Sequence, residues 1–121
     1  MAKCDEGYLC QVCGEAVESL EESELYLRYV VGWVDPELLH TSPDRHLKCN
    51  PTLAQFILDS RFPAIECEGP FAKQELDSAE VDRRQTVLTR GWRRLLEIKG
   101  SGIPLTEYPL EEVRAKWASG D

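Results

Sequence analysis

Cys10 and Cys13 stand two residues apart and are followed at once by Gly14, and His46 and Cys49 repeat the two-residue gap further along the chain. Thiolate and imidazole are the donors that zinc favours, and a closed structural site takes four of them in a tetrahedron. Two donors separated by two residues face one ion across a tight turn. A glycine after the second lets the backbone curl back, so that its amides point at the sulfurs. The second pair lies directly before Asn50-Pro51, a predicted helix start. Residues three apart in a first helical turn share one side, and the free amides and positive dipole there favour thiolate over thiol. Cys10, Cys13, His46 and Cys49 together predict a closed zinc site with no position left for water. His40 could replace His46 in that set, and Cys4 could replace one of the cysteines.

Other chemistry has less to stand on. The cysteine count is five, an odd number without a secretory apolar stretch ahead of it, which argues against a disulfide framework. Cys4, Cys10, Cys13 and Cys49 approach the plant-type ferredoxin spacing, so an iron–sulfur or thiol redox protein is the alternative reading. The first gap is one residue too long for it, and the small-residue loop is missing. A thioredoxin-like Cys10–Cys13 pair should open a helix, and Gly14 with the acidic residues after it does not read as one. Cys67 could pair with His40 or His46 as a nucleophile, but Glu66 and Glu68 flank it and would raise its pKa. No Gly-rich phosphate loop, serine elbow or His-Glu-x-x-His motif is present. The chain is expected not to be an enzyme.

The elements that must position these donors read as α-rich, with α+β possible. Glu15 to Leu20 is a short strand or extended. Ser23 is placed to cap a helix from Glu24 to Gly32, although Tyr29 to Val34 also suits a strand. Asp35 caps one turn over Pro36 to His40. Asn50 and Pro51 start a helix that runs to about Ser60, with Leu53, Phe56 and Ile57 as its apolar stripe. Arg61 to Pro70 is a loop. The longest helix is predicted over Ser78 to Lys99, on a stripe of Val81, Leu88, Trp92, Leu95 and the stem of Lys99, ended by Gly100-Ser101-Gly102. A last short helix covers Leu110 to Ala118. Residues 1–70 are expected to form the zinc-binding unit. Residues 71–121 are expected to form a helical segment packed with it in the same compact domain.

The pattern of a Cys-x-x-Cys-Gly knuckle followed by a second ligand pair at a helix start resembles treble-clef zinc fingers, over about residues 8–58. The resemblance implies a hairpin within the 32 residues between Cys13 and His46, where the local reading includes a helix. Beyond that stretch the chain has only the general look of a small bacterial protein.

Size and charge limit the remaining functions. At 121 residues a core is modest, and small chains lean on metals or partners. The net charge of −8 falls wholly in residues 1–70, with 13 acidic and 5 basic side chains, while residues 71–121 carry 9 of each. Arg83, Arg84, Arg90, Arg93, Arg94 and Lys99 fall on the long helix, and Arg83, Arg90 and Arg94 share a face. Such a helix (83–99) could dock on nucleic acid, but charge runs are usually solvated, and this one could also meet the acidic first half. Trp33, Trp92 and Trp117 are read as core or edge packing. No apolar run reaches the roughly 20 residues needed to cross a bilayer, and Met1 to Glu6 lacks the apolar stretch of a signal. The expectation is a cytoplasmic zinc-binding module whose partner is another protein rather than nucleic acid or membrane.

Overall fold

The computed structural model describes residues 8–17, 19–39 and 41–118, so Cys4 and His40 lie outside the described residues. Two antiparallel strands come first, β1 (Tyr8–Leu9) and β2 (Ala16–Val17), with Tyr8 opposite Val17 and Leu9 opposite Ala16. A 3-10 turn at Leu20–Glu22 leads into α1 (Glu24–Val30). Two more 3-10 turns, Pro36–Leu38 and Leu47–Cys49, precede α2 (Pro51–Ala54). After a loop come α3 (Ser78–Ile98) and α4 (Glu111–Ala118). Among the described residues helix, 3-10 turns included, accounts for 51% with almost no strand, as the α-rich reading expects.

The helical reading of residues 24–32 prevails over the strand because its first turn is capped twice. Ser23 Oγ accepts from the Tyr26 amide at 3.0 Å. Asp44, from a distant turn, accepts from the Leu25 amide at 3.1 Å and from the Ser23 hydroxyl at 2.8 Å. Two free amides of the helix start are thereby satisfied in a buried setting, where an unpaired donor is costly. The β-branched residues Val30, Val31 and Val34 are buried in or just after α1. Trp33 is a correction to the packed-tryptophan expectation: at 49% exposure it stands on the surface beyond the end of α1. Asp35 does cap the next turn, accepting from the Glu37 amide at 2.9 Å.

The helix expected to run from Asn50 to Ser60 is also corrected, since α2 stops at Ala54. Tertiary hydrogen bonds draw the chain out of the helix. The buried Gln55 side chain accepts from the Lys73 amide at 2.8 Å and donates to the Phe71 carbonyl at 2.9 Å. Thr89 Oγ1 on α3 then accepts the Leu58 amide at 2.9 Å and donates to the Phe56 carbonyl at 3.3 Å. Phe56 and Ile57 enter the core from this irregular segment instead of from a helical stripe.

The core forms where α1 crosses α3. Leu88, Trp92 and Leu95 are buried as the periodicity predicts, Val81 is half-buried, and Ile98 takes the place expected of the Lys99 stem. The crossing is close because Gly91 faces α1. A Cβ built there would lie 2.5 Å from Val31 Cγ1 and 3.0 Å from Leu27 Cδ1, nearer than methyl groups can pack. Gly100 begins the turn that ends α3, as expected. The α4 helix folds back so that Trp117 stacks on Tyr29, with ring centroids 5.8 Å apart. The Leu110 amide donates to the Val30 carbonyl at 2.9 Å.

Candidate metal centre

The first donor pair sits on the loop of the β1–β2 hairpin. Gly14 adopts φ +80°, a value that L side chains rarely reach, and its amide donates to the Cys10 carbonyl at 2.9 Å while the Cys10 amide donates to the Glu15 carbonyl at 2.8 Å. This closes a knuckle with both cysteines on one turn. The Val12 amide points at Cys10 Sγ from 3.4 Å. The curled backbone expected after Cys13 is present, and its amide-to-sulfur bond is the kind that stabilises a thiolate.

The second pair lies directly before α2, as expected, and is carried by the 3-10 turn Leu47–Cys49. His46 is the residue at the start of that turn, and its carbonyl accepts the Cys49 amide at 2.9 Å. Residues three apart eclipse in a 3-10 helix, so His46 and Cys49 present their side chains on one edge. Asn50 does precede α2, but its side chain donates to Glu24 Oε2 at 2.9 Å and makes no cap hydrogen bond.

Tertiary packing brings the two pairs together. The Gln11 amide donates to the Asp44 carbonyl at 3.0 Å, and the His46 amide donates to Cys10 Sγ at 3.4 Å. The donor atoms of Cys10, Cys13, His46 and Cys49 all lie within 4.8 Å of one another. A tetrahedral zinc with bonds of about 2.0–2.3 Å sets its donors roughly 3.3–3.8 Å apart. His46 Nδ1 is 3.4 Å from Cys13 Sγ and 3.9 Å from Cys49 Sγ, so only modest closing of the widest pair is needed.

The histidine ring is set for ligation by its other nitrogen. Nε2 lies 2.9 Å from the Ala16 carbonyl, which can only accept, so Nε2 carries the hydrogen. In the neutral ring Nδ1 then has its lone pair free, and it faces the sulfurs. The thiols are unlike one another. Burial pushes the Cys10 thiol up, but the amides of Cys13, His46 and Val12 and the His46 side chain outweigh it, and it is lowered to about 6. At Cys49, burial and the neighbouring sulfurs of Cys10 and Cys13 act together, and its thiol is pushed up to about 11. Three sulfurs crowded together resist carrying three negative charges, and a cation among them would relieve that repulsion.

Two buried carboxylates hold the frame, and the sequence reading did not find either role. Asp44 spans α1, the knuckle and the second pair through the bonds already given, and its carboxylate also accepts the Arg45 amide at 2.7 Å. Burial pushes its pKa up against the downward pull of Ser23 and the amides of Leu25 and Arg45. Glu24, the first residue of α1, is buried and takes Arg28 at 3.1 Å, Arg45 at 3.5 Å and Asn50. The sequence cue for Asp44 is its place two residues before His46.

Comparison of the chain with protein-family models, with curated proteins and with solved structures finds no match. The site therefore stands on its own geometry. Cys10, Cys13, His46 and Cys49 are positioned to bind a metal ion.

The remaining candidates separate from this cluster. Cys67 is half-buried in another loop, with Thr52 Oγ1 at 3.8 Å and the Glu68 carbonyl at 3.7 Å, and it is not one of the clustered donors. Cys10 and Cys13 do not open a helix, as a thioredoxin-like pair would. Every basic side chain of the long helix is matched with a carboxylate. Arg83 and Arg84 take Glu80, Arg94 takes Glu97, and Arg90 grips Glu112 of α4 at 2.6 and 3.0 Å. Arg93 reaches Asp59 at 2.7 Å and Lys99 reaches Glu21 at 3.0 Å, both in the acidic first half. No described helix is long and apolar enough to cross a membrane.

Proposed function

We propose that Cys10, Cys13, His46 and Cys49 hold one structural zinc ion, and that the chain is a zinc-stapled module whose task is to present a surface to another protein. The observation that carries the zinc reading is the His46 ring, pinned through Nε2 so that Nδ1 faces the sulfurs. Three sulfurs and one imidazole nitrogen match the donor set zinc takes in closed sites, and a closed site leaves no coordination position for substrate or activated water. A non-catalytic role follows from that closure. The histidine among the gathered donors favours zinc over a four-cysteine iron–sulfur cluster.

The likeness to treble-clef fingers rests on the knuckle and on the ligand-bearing helical turn. Between them this chain uses β2, α1 and 3-10 turns where a treble clef has a hairpin. The pairing of every basic side chain on α3 supports a protein partner over nucleic acid. Elemental analysis of chain purified without added metal tests the reading. One zinc per chain and no visible colour are expected; a brown protein with iron and sulfide would replace it with the cluster.

A further inference from the structure

We propose that Cys13 is the modification site of this centre, where two-electron oxidants of the hydroperoxide class act to join Cys13 and Cys49 as a disulfide and release the metal. This rests on the metal reading above and concerns what opens that site. The four donors are unequally protected. Cys10 is only 2% exposed, and its sulfur is held by the amides of Val12 and His46. His46 is buried, with its ring fixed on the Ala16 carbonyl. Cys49 is half-buried at the end of its 3-10 turn. Cys13 alone is exposed, on the tip of the knuckle between exposed Val12 and Gly14. Oxidant attack goes to thiolates that solvent can reach, and ligation keeps this sulfur deprotonated.

The chemistry balances in two steps. The Cys13 thiolate attacks the hydroperoxide, forming a sulfur–oxygen bond and breaking the oxygen–oxygen bond; the departing oxygen takes up a proton. The Cys49 thiolate then attacks the Cys13 sulfur, forming the disulfide, and hydroxide leaves with a second proton as water. The sulfurs lose two electrons and the hydroperoxide gains them. Cys49 is the resolving partner because its sulfur lies within 4.8 Å of the Cys13 sulfur. Cys10 would have to give up its amide hydrogen bonds to do the same. With Cys13 and Cys49 joined, Cys10 and His46 remain, half of a tetrahedral set.

The test uses the full chain, with its zinc counted first. Hydrogen peroxide is titrated in while a chromogenic chelator reports free zinc and peptide mapping locates disulfides. Loss of the whole zinc complement should track a Cys13–Cys49 disulfide, and a thiol reductant with added zinc should reverse both. Cys67→Ser should leave the course unchanged. A Cys10–Cys13 disulfide, a disulfide to Cys4 or Cys67, or zinc loss with Cys13 still reduced would overturn the proposal while leaving the metal reading intact. A chain that carries no metal, yet forms the Cys13–Cys49 disulfide first, would sink the metal reading and support Cys13 as the modified thiol.

Discussion

At the scale of single residues, the centre depends on hydrogen bonds that leave His46 Nδ1 free and hold the Cys10 sulfur. His46→Ala removes a donor and should abolish stoichiometric zinc retention through gel filtration. Cys13→Ser should do the same and lower the thermal midpoint, because binding free energy at a structural site is folding free energy. A metal-free Cys13→Ser chain as stable as the parent would count against a structural ion. The unequal thiols also predict how affinity varies with pH. Without metal, Cys10 is ionised above about 6, whereas Cys49 holds its proton up to about 11. Bound zinc requires the thiolate, so Cys49 must release its proton throughout the range between these values. Its contribution alone should raise zinc affinity about tenfold per pH unit there, with a steeper dependence below pH 6 as Cys10 also takes up its proton. Competition with a chelator of known affinity at several pH values reads the slope, and a flat profile would contradict this assignment.

At the scale of elements, the crossing of α1 and α3 and the docking of the Asp44 turn decide where the donors lie. Gly91→Ala forces a methyl group against Val31 and Leu27. Overpacking of this kind costs roughly 1–3 kcal/mol. The denaturant midpoint should fall while zinc stoichiometry stays at one per chain, because Gly91 touches none of the donors. Asp44→Ala should behave differently. It strips two amides and a buried hydroxyl of their acceptor at the junction of α1 with the ligand-bearing turn. Loss of a cap and of buried hydrogen bonds should cost on the order of 2–4 kcal/mol. Zinc affinity should fall with it, as it does when outer supports of a site are removed. Equal zinc affinity in Asp44→Ala and the parent would show that the turn is held without it.

At the scale of the whole molecule, charge is organised internally. Arg90 ties α3 to α4, while Arg93 and Lys99 tie α3 to the acidic first half. The free surplus is negative, and at −8 the chain repels phosphate backbones at long range. Fluorescence anisotropy with mixed-sequence DNA and RNA at physiological salt should detect no binding. Tight, salt-sensitive binding lost in a double Arg90→Glu, Arg94→Glu variant would reverse that expectation.

The features legible in the chain are local: donor types and two-residue gaps, Gly14, the Ser23 and Asp35 caps, and the α3 stripe from Leu88 to Leu95. Each is readable because its cause acts within a turn or two of chain, where spacing fixes geometry. Tertiary structure alone decided that the two donor pairs meet across 32 intervening residues, that Ala16 sets the histidine tautomer, and that Asp44 joins the parts. It also cut α2 short, since Gln55 and Thr89 offered hydrogen bonds that competed with the helical ladder, and it left Trp33 outside. Those outcomes depend on which surfaces α1 and α3 bury against each other, a balance of packing and satisfied polar groups between segments far apart in the chain.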